Sequence, residues 1–325
     1  MTLGMVKNDI LRLSVLFAVC CTLCFVSCSG EEEDVENEFT NVTEEVLSVE
    51  TTPVTFDFGS YGKYTLFDYA ANGTYVGSDT VELKKPHTTS TIELRQGKHE
   101  VVWIDYRHSA SEYLNAANNS YFFGVHFLPE SKVFREEIPK LPVEYGPLPD
   151  PVFYWKKNIN VSPYLLPTQK SDFMSVTCSV EIEATEDHAS ASWSGEGVIT
   201  GIPIITDVGL DDNRHKICTE TSSAPIFFYC DEKIVFDETI SDYSYNISIH
   251  GKECFHILCP QGGLDDIQLS CNIKGDDGHY TTTTPLPKIS IRRGYTTRIY
   301  GSFGSLLSGN ASDWKVEMIP YNYSY

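Results

Sequence analysis

The sequence has few positive charges for its length. It contains 24 Lys and Arg against 45 Asp and Glu in 325 residues, which gives a formal net charge of −21 at pH 7. Nucleic acid is bound through clustered Lys and Arg, and anionic lipid headgroups attract the same side chains. The composition therefore excludes nucleic acid as a partner, and it argues against binding to an anionic membrane through charge.

Recognisable catalytic and cofactor motifs are also absent. The chain contains no GxSxG elbow, HExxH motif, P-loop or dinucleotide fingerprint. Its many carboxylates would allow pairs of the kind that hydrolyse glycosides, but nothing in the order of residues selects one pair. We therefore expect a protein that is not an enzyme and needs no cofactor.

Long amphipathic helical patterns are missing, and short alternating runs take their place. From Thr51 onward, runs rich in Val, Ile, Thr, Tyr and Phe are separated by turn residues. Residues 176–182 alternate between apolar and polar, which predicts a strand with one buried face and one solvent-exposed face. Asn72-Gly73 follows the run 64–70 and predicts a hairpin turn. Strands are also predicted at 53–58, 74–76, 80–85, 90–95, 98–106, 120–128, 267–273, 287–292, 296–303 and 314–319.

Prolines divide the chain. Eight of the sixteen prolines lie between Pro129 and Pro167, and proline cannot donate to a β-ladder. We therefore predict a junction over 129–170, with an N-terminal β-sandwich domain at 51–128 and a C-terminal one at 171–325.

The only long apolar run lies near the amino terminus. Leu13–Val26 follows Lys7 and Arg12 and is too short to span a bilayer, but it has the length of a signal-peptide core. The residues before Cys28 resemble a bacterial lipobox. We predict a lipoprotein signal peptide at 1–27 and lipidation of Cys28, which would anchor the chain to outer-membrane lipid through two or three acyl chains. An ordinary cleaved secretory signal is the alternative.

An acidic block follows the lipobox. Residues 29–50 contain nine Asp or Glu and no Lys or Arg, so this segment cannot pack and is predicted to be an extended tether over 28–50. Its start resembles the export signal of Bacteroidetes lipoproteins, which implies an outer-membrane location facing the cell exterior. The residues of that predicted signal are Ser29, Glu31, Glu32, Glu33 and Asp34.

Six cysteines lie beyond the signal peptide, all in the second half of the chain. An even number in an exported protein permits three disulfides with 15 possible connectivities, whereas cysteines on inward strand faces behave as small apolar residues. Both states remain open. The six are Cys178, Cys218, Cys230, Cys254, Cys259 and Cys271.

Three further sets of residues are candidates for a metal site, a sugar contact and a glycan attachment site. Cys254, His256 and Cys259 are spaced in a way that suggests metal ligands, although buried strand residues explain them better. Trp155 lies in the proline-rich segment and is expected to be exposed enough to stack on a sugar, whereas Trp103 is expected in the core. Asp79-Thr80-Val81 resembles an acceptor motif for O-linked glycans in Bacteroidetes, with Thr80 as the acceptor.

Three stretches resemble one protein family. They are residues 66–76 with Asn72-Gly73, residues 92–103 with a glycine turn, and residues 286–300 near the end. Together with the lipobox they resemble the Bacteroidetes fimbrillin-like lipoproteins. The resemblance implies two transthyretin-like β-sandwich domains, and a role as a fimbrial anchor, assembly or adhesin component that binds other fimbrial subunits by β-strand addition.

One departure from the family's pattern concerns proteolytic activation. Between the first predicted strand and the next, the only basic residue is Lys63, and no arginine is present for cleavage. An uncleaved member would suit an anchor or terminator. The alternative function is a glycan-binding surface lipoprotein that captures polysaccharide.

Overall fold

Most of the chain that the structure describes forms β-strands, in many of which buried and exposed side chains alternate. The computed structural model describes residues 47–59, 62–85, 88–105, 125–136, 147–148, 151–164, 166–187, 189–190, 192–237, 242–274 and 280–321. These ranges contain twenty strands and one five-residue helix. The predicted all-β fold class is therefore confirmed.

The first group of strands forms two sheets that face each other. A three-stranded sheet consists, in spatial order, of β4 (Thr88–Arg95), β1 (Thr51–Phe58) and β9 (Gln169–Lys170). A five-stranded sheet consists, in spatial order, of β10 (Met174–Ser175), β8 (Phe153–Val161), β5 (Gly97–Asp105), β2 (Gly62–Ala70) and β3 (Tyr75–Leu83).

Aromatic side chains fill the space between these two sheets. Every second residue of β1 from Val54 to Phe58 is fully buried. The ring of Phe56 meets that of Trp103 edge to face, with centroids 5.2 Å apart, a geometry that aromatic pairs favour. Trp103 is 0% exposed, so its predicted place in the core is confirmed.

The predicted hairpin at Asn72-Gly73 is confirmed. β2 and β3 pair in antiparallel register, and Gly73 adopts a φ of 81°, which glycine tolerates without steric cost. The amide of Ala70 donates to the carbonyl of Thr74 at 2.9 Å and closes the turn. The separate strands predicted at 74–76 and 80–85 are one continuous strand, β3.

The second group of strands forms a ten-stranded sheet. Its main path has the spatial order 17-16-12-13-14-11-19-20, and β6 and β7 extend it from β12. The strands are β6 (Val125–Leu128), β7 (Val133–Glu136), β11 (Thr177–Asp187), β12 (Gly195–Gly209), β13 (His215–Asp237), β14 (Asp242–Leu258), β16 (Ser270–Lys274), β17 (Tyr280–Pro285), β19 (Tyr295–Ser302) and β20 (Lys315–Pro320). A separate two-stranded sheet pairs β15 (Leu264–Ile267) with β18 (Ile289–Ile291), and the helix α1 spans Phe303–Leu307.

One hydrophobic cluster joins the two groups. The five-stranded sheet buries a second face, with Phe67, Val102 and Tyr154 among its apolar residues. That face packs in the same cluster as Phe127 and Phe134 of the β6–β7 hairpin, which belongs to the ten-stranded sheet. The two groups therefore meet through packed side chains.

The proline-rich segment supplies strands to all three larger sheets. β7 joins the ten-stranded sheet, β8 lies inside the five-stranded sheet, and β9 pairs with β1. Residues 152–162 contain no proline, so nothing prevents this stretch from pairing as β8 inside a sheet. The domain boundaries drawn at this segment stay a prediction.

Candidate functional site

The last strand lies at an edge of the ten-stranded sheet. β20 pairs with β19 in antiparallel register, from Tyr295 opposite Pro320 to Tyr300 opposite Lys315. Within the part of the chain that the structure describes, no strand pairs with the other side of β20. Its outer main-chain groups are therefore available to an added strand.

β20 buries very little of its own surface. None of its six side chains is buried, and Val316, Met318 and Ile319 are 41%, 39% and 37% exposed. Burial of an apolar side chain is the main source of stability for a strand in a sheet. β20 is therefore held mainly by main-chain hydrogen bonds.

Anchors stand at both ends of β20. Before it, Trp314 is 6% exposed and its indole nitrogen donates to the carbonyl of Ser302 at 3.1 Å. After it, the amide of Tyr321 donates to the carbonyl of Gly294 at 2.8 Å, and the Tyr321 hydroxyl lies 2.6 Å from the Ser179 hydroxyl. These contacts position the strand while leaving its middle exposed.

A row of charges crosses the sheet beside β20. Arg298 of β19 contacts Glu181 at 3.0 Å, forms an ion pair with Glu183, and reaches Glu317 of β20 at 3.3 Å. Lys252 of β14 contacts Glu181 at 2.9 Å from the other side. Because these groups are partly exposed, the pair to Glu317 contributes little stability.

This arrangement can support strand addition. An exposed edge offers main-chain hydrogen bonds for affinity, and alternating side chains on the edge give specificity. Val316 and Met318 alternate with Glu317 along β20. An incoming strand would meet Val316 and Met318 on one face, and Glu317 beside Ile319 on the other.

A second exposed patch lies on β13 and β14. Phe227 and Tyr229 share the outer face of β13 and are 46% and 58% exposed. The ring of His250, opposite Tyr229 on β14, lies 5.8 Å from the Tyr229 ring at a tilt of 33°. Asp231 Oδ2 is 3.6 Å from His250 Nδ1. We call these four residues the outer aromatic patch; it joins flat rings to a carboxylate and an imidazole.

The expectation that Trp155 is exposed is wrong. Trp155 is 5% exposed and lies between the two facing sheets, where its ring meets Phe56 with centroids 6.0 Å apart. Its ring faces are therefore closed to a sugar. The error arose because the surrounding prolines suggested a loop, whereas Trp155 belongs to β8 and pairs with Trp103 of β5.

The three metal candidates do not share one face. Cys254 and His256 point to the same side of β14, where the Ser179 hydroxyl lies 2.7 Å from His256 Nδ1 and is a hydrogen-bond partner of the Cys254 thiol. Cys259 follows the end of the strand and lies fully buried in the core cluster beside Cys178. Among the described residues, no group of three or more potential ligands is positioned to hold a metal.

The remaining predicted site residues divide into two sets. Thr80 lies exposed on β3, and its amide hydrogen-bonds to the Asp79 carboxylate at 2.7 Å. Lys63 lies exposed within β2, opposite Glu82. The lipidation and export residues Cys28, Ser29, Glu31, Glu32, Glu33 and Asp34 lie outside the described residues. No helix among the residues that are described is long and apolar enough to cross a membrane.

The outer aromatic patch was missed from the sequence, although a signal was present. The run 225–230 reads PIFFYC and is apolar at both parities. A strand of that kind is either covered on both faces or exposes one apolar face. The contact between Tyr321 and Ser179 has no such signal, because 142 residues separate the two.

The chain matches no family model and no curated protein, but it is similar to solved structures. One is a candidate adhesin from Bacteroides thetaiotaomicron, with 12% identity and a TM-score of 0.47, covering 83% of this chain and 97% of that one. Another is a fimbrial anchor protein from Porphyromonas gingivalis, with 8% identity and a TM-score of 0.39, covering 84% and 98%. A third is a fimbrial assembly protein from Parabacteroides distasonis, with 11% identity and a TM-score of 0.38, covering 83% and 100%.

Proposed function

We propose that this chain is a surface-exposed outer-membrane lipoprotein that serves as a fimbrial anchor, assembly or adhesin component without enzymatic activity. Its partners would be other fimbrial subunits, bound by β-strand addition, and membrane lipid, bound through an acylated Cys28. The lipobox and acidic segment support the location, and the resemblance of residues 66–76, 92–103 and 286–300 supports the class.

The observation that carries the proposal is the state of β20. It is an edge strand that is anchored at both ends yet has no buried side chain of its own. Such an edge is a liability in a soluble protein unless it is used, because it invites pairing with other chains. Pairing with another subunit turns that liability into an assembly contact.

Immunogold electron microscopy on intact cells tests this function, with and without the gene. We expect label at filament bases or ends, and altered filaments in the deletion strain. Label along whole filaments would make the chain a stalk subunit. Label on cells that carry no filaments would overturn the fimbrial role.

Lipid anchoring is tested separately with Cys28→Ser. In cells given a labelled fatty acid, we expect the natural protein to incorporate label and to fractionate with the outer membrane. The variant should incorporate none. Cys24→Ser is the matched control, because Cys24 lies in the apolar run just before Cys28 and is not the predicted acylation site, and it should behave like the natural protein. Equal labelling of the Cys28 variant would overturn the anchor.

A second candidate function is capture of glycans at the outer aromatic patch. Exposed rings offer their faces to the C–H bonds of a sugar, while Asp231 and His250 offer hydrogen-bond partners for hydroxyl groups. A glycan array read with Tyr229→Ala tests it against Tyr164→Ala, which removes another exposed tyrosine, 79% exposed. Loss of binding in the first variant alone supports capture at this patch. Equal binding by both variants, or none by the natural protein, would exclude it.

A further inference from the structure

The hairpin of β13 and β14 continues past the rest of the ten-stranded sheet. β12 pairs with β13 only as far as Phe228, and β11 pairs with β14 only as far as Ser248. Beyond these points, the two strands pair with each other without a register shift to the end of β13, and no other described strand pairs with them there. The result is a two-stranded extension roughly 30 Å long. We call it the β-ribbon; it consists of residues 229–237 and 242–247.

One face of the β-ribbon continues the core face of the sheet. Phe228 and Cys230 are followed at two-residue intervals by Glu232 and Ile234, and side chains two residues apart on a strand share a face. The residues directly opposite them on β14 share that face as well. From the sheet outward, these residues are Gly251, Ile249, Ile247 and Tyr245.

Burial falls along this face. At its base, Phe228 and Ile249 are 2% and 4% exposed, and the ring of Trp193 lies 5.7 Å from that of Phe228. Farther out, Ile234 and Tyr245 lie opposite each other and are 68% and 57% exposed. An apolar cross-strand pair therefore lies uncovered on a face that is core elsewhere. Exposed apolar surface of this kind, with polar residues around it, is typical of an interaction site.

The β-ribbon has little packing of its own. Four consecutive residues, Asp231 to Ile234, are exposed, so both faces of the strand meet solvent. Its ladder and the hydrogen bond that Tyr245 donates to the Glu232 carboxylate hold it together. A two-stranded hairpin is only marginally stable in water. Covering Ile234 and Tyr245 would add the apolar burial that it lacks.

The longest internal segment outside the described residues, 106–124, does not reach this pair. Both of its ends lie by the β6–β7 hairpin, because Ile104 pairs with Tyr154 and the Tyr154 ring packs on Phe134. Ile234 lies six residues beyond the start of β12, and the hairpin attaches twelve residues along β12. The separation is roughly 60 Å along the strands. Nineteen residues that must go out and return reach at most about 33 Å.

Charge decides against the chain's own tether and against a second copy. Residues 231–242 contain five Asp or Glu and one Lys, and residues 29–50 contain nine Asp or Glu and no Lys or Arg. Segments of the same sign repel each other. A second copy brings another net charge of −21, which opposes self-association. The charge of the β-ribbon therefore favours a different chain that is basic where it makes contact.

We propose that the β-ribbon is a docking arm for a different protein chain, which presents apolar side chains to Ile234 and Tyr245 and Lys or Arg to the carboxylates around them. The apolar pair would supply affinity, and Asp231 and Glu232 would supply charge complementarity. This surface is separate from the outer aromatic patch, since Tyr229 and Asp231 belong to the other face of β13. It is also separate from β20, which lies three strands away from β14 in the sheet. The docking arm does not depend on the function proposed for β20.

Two synthetic peptides test the chemistry of the docking arm. In the first, valine and lysine alternate, so that an extended peptide has one apolar side and one basic side. In the second, serine replaces valine and the charge is unchanged. Fluorescence anisotropy with the full chain should show that the first peptide binds at least about tenfold more tightly, because only it can cover the apolar pair. Equal affinities would show attraction by charge alone and would overturn the proposal.

Matched variants locate the contact. Ile234→Ser should weaken binding of the valine-lysine peptide by about threefold or more. Ile217→Ser is the control, because Ile217 is 44% exposed on the same strand but lies outside the β-ribbon. It should bind the peptide like the natural protein. Equal losses in both variants, or no loss in Ile234→Ser, would contradict the assignment.

Hydrogen exchange on the natural protein gives an independent measurement. The bound valine-lysine peptide should slow amide exchange in 229–237 and 242–247 and leave β20 unchanged. Protection confined to β20 would show strand addition there and overturn the docking arm, without affecting the function proposed for β20. Sedimentation equilibrium tests the second copy, and we expect a monomer. Self-association that Ile234→Ser abolishes would assign the β-ribbon to a dimer instead.

Discussion

His99 has a hydrogen-bond acceptor at each ring nitrogen. Its Nδ1 lies 2.6 Å from Asp68 Oδ1, and its Nε2 lies 2.6 Å from the carbonyl oxygen of Arg95. A carboxylate and a carbonyl cannot donate, so both nitrogens must carry hydrogen. Burial lowers the pKa of His99, but the hydrogen bond and charge of Asp68, with the Arg95 carbonyl, outweigh it and the pKa is raised. At the residue scale, the core between the facing sheets therefore contains a buried ion pair.

This pair predicts a pH dependence of stability. Because the pKa of His99 is raised by folding, its contribution is complete below the unfolded pKa of about 6.5 and is lost as pH rises through the folded pKa. His99→Gln should lower the free energy of unfolding by about 3–5 kcal/mol at pH 6, because it leaves a buried charge unpaired. It should also flatten this part of the pH profile. Urea unfolding from pH 5.5 to 9 measures both effects.

His250→Gln is the matched control for His99. Its side chain is 49% exposed, so the substitution should leave stability within about 0.5 kcal/mol of the natural protein. An unchanged pH profile in His99→Gln would contradict the charged state of His99.

Glu136 predicts a second effect of pH. Burial at the end of β7 raises the pKa of Glu136 to about 7, so its contribution to stability is complete below about pH 4.5 and is lost as pH rises through 7. Glu136→Gln should stabilise the protein by about 1–2 kcal/mol at pH 8 and have little effect at pH 4.5, since the side chain is only partly enclosed. Unfolding titrations at the two pH values check this. Equal effects at both would contradict it.

At the scale of the element, β20 differs from the strands whose side chains are buried in the core. Strands such as β1 bury alternate side chains completely, whereas β20 buries none. It stays in place because β19 supplies a hydrogen-bonded ladder and because Trp314 and Tyr321 fix its ends. Its opening should therefore cost less free energy than that of any buried strand.

A pair of proline substitutions tests the free edge. Successive amides of an antiparallel edge strand point alternately to the neighbour and away from it, so Met318→Pro and Ile319→Pro differ in which amide they remove. The substitution that removes the amide facing β19 should destabilise β20 by about 3 kcal/mol or more. The substitution that removes the outward amide should change stability by less than about 1 kcal/mol and block pairing with a partner subunit.

Hydrogen exchange and filament assembly measure the two outcomes for β20. Protection of the amides in 295–302 reports whether the strand remains paired. The variant that keeps this protection should fail to join filaments. Normal assembly in that variant would show that β20 does not receive the partner strand.

Local patterns predicted many elements, and long-range pairing limited the rest. Alternation was sufficient to predict β1 and the hairpin after β2, because each depends on neighbouring residues. The prediction for Trp155 failed because the high proline content of the whole segment was applied to residues 152–162, an eleven-residue stretch that contains no proline. The proximity of Cys178 and Cys259 in the core could not be predicted from spacing, because it depends on the register of β11 against β14.

At the scale of the whole molecule, charges and rings join the two groups of strands. Lys156 of β8 lies 2.7 Å from Asp211 and 3.3 Å from Glu100 of β5, and Glu100 also pairs with Lys132. Beside this network, the ring of Phe134 lies 5.9 Å from that of Tyr154. The described residues belong to one compact unit, Glu45–Tyr325. The sheets should therefore unfold together.

Calorimetry tests this coupling. We expect one cooperative transition, because the cluster that contains Phe134 includes residues of both groups. Phe134→Ala should destabilise the whole protein by about 3–5 kcal/mol and leave a single transition at lower temperature. Tyr164→Ala, at an exposed position, should leave Tm unchanged. Two separate transitions in the natural protein would contradict the coupling.

The chain alternates between the two groups of strands rather than completing one before starting the other. It builds β1 to β5, passes to β6 and β7 in the larger sheet, and returns for β8 to β10 before it leaves again. No single cut frees either group with all its strands. A single crossover within the coding sequence could therefore not exchange either group of strands as a whole for that of a relative.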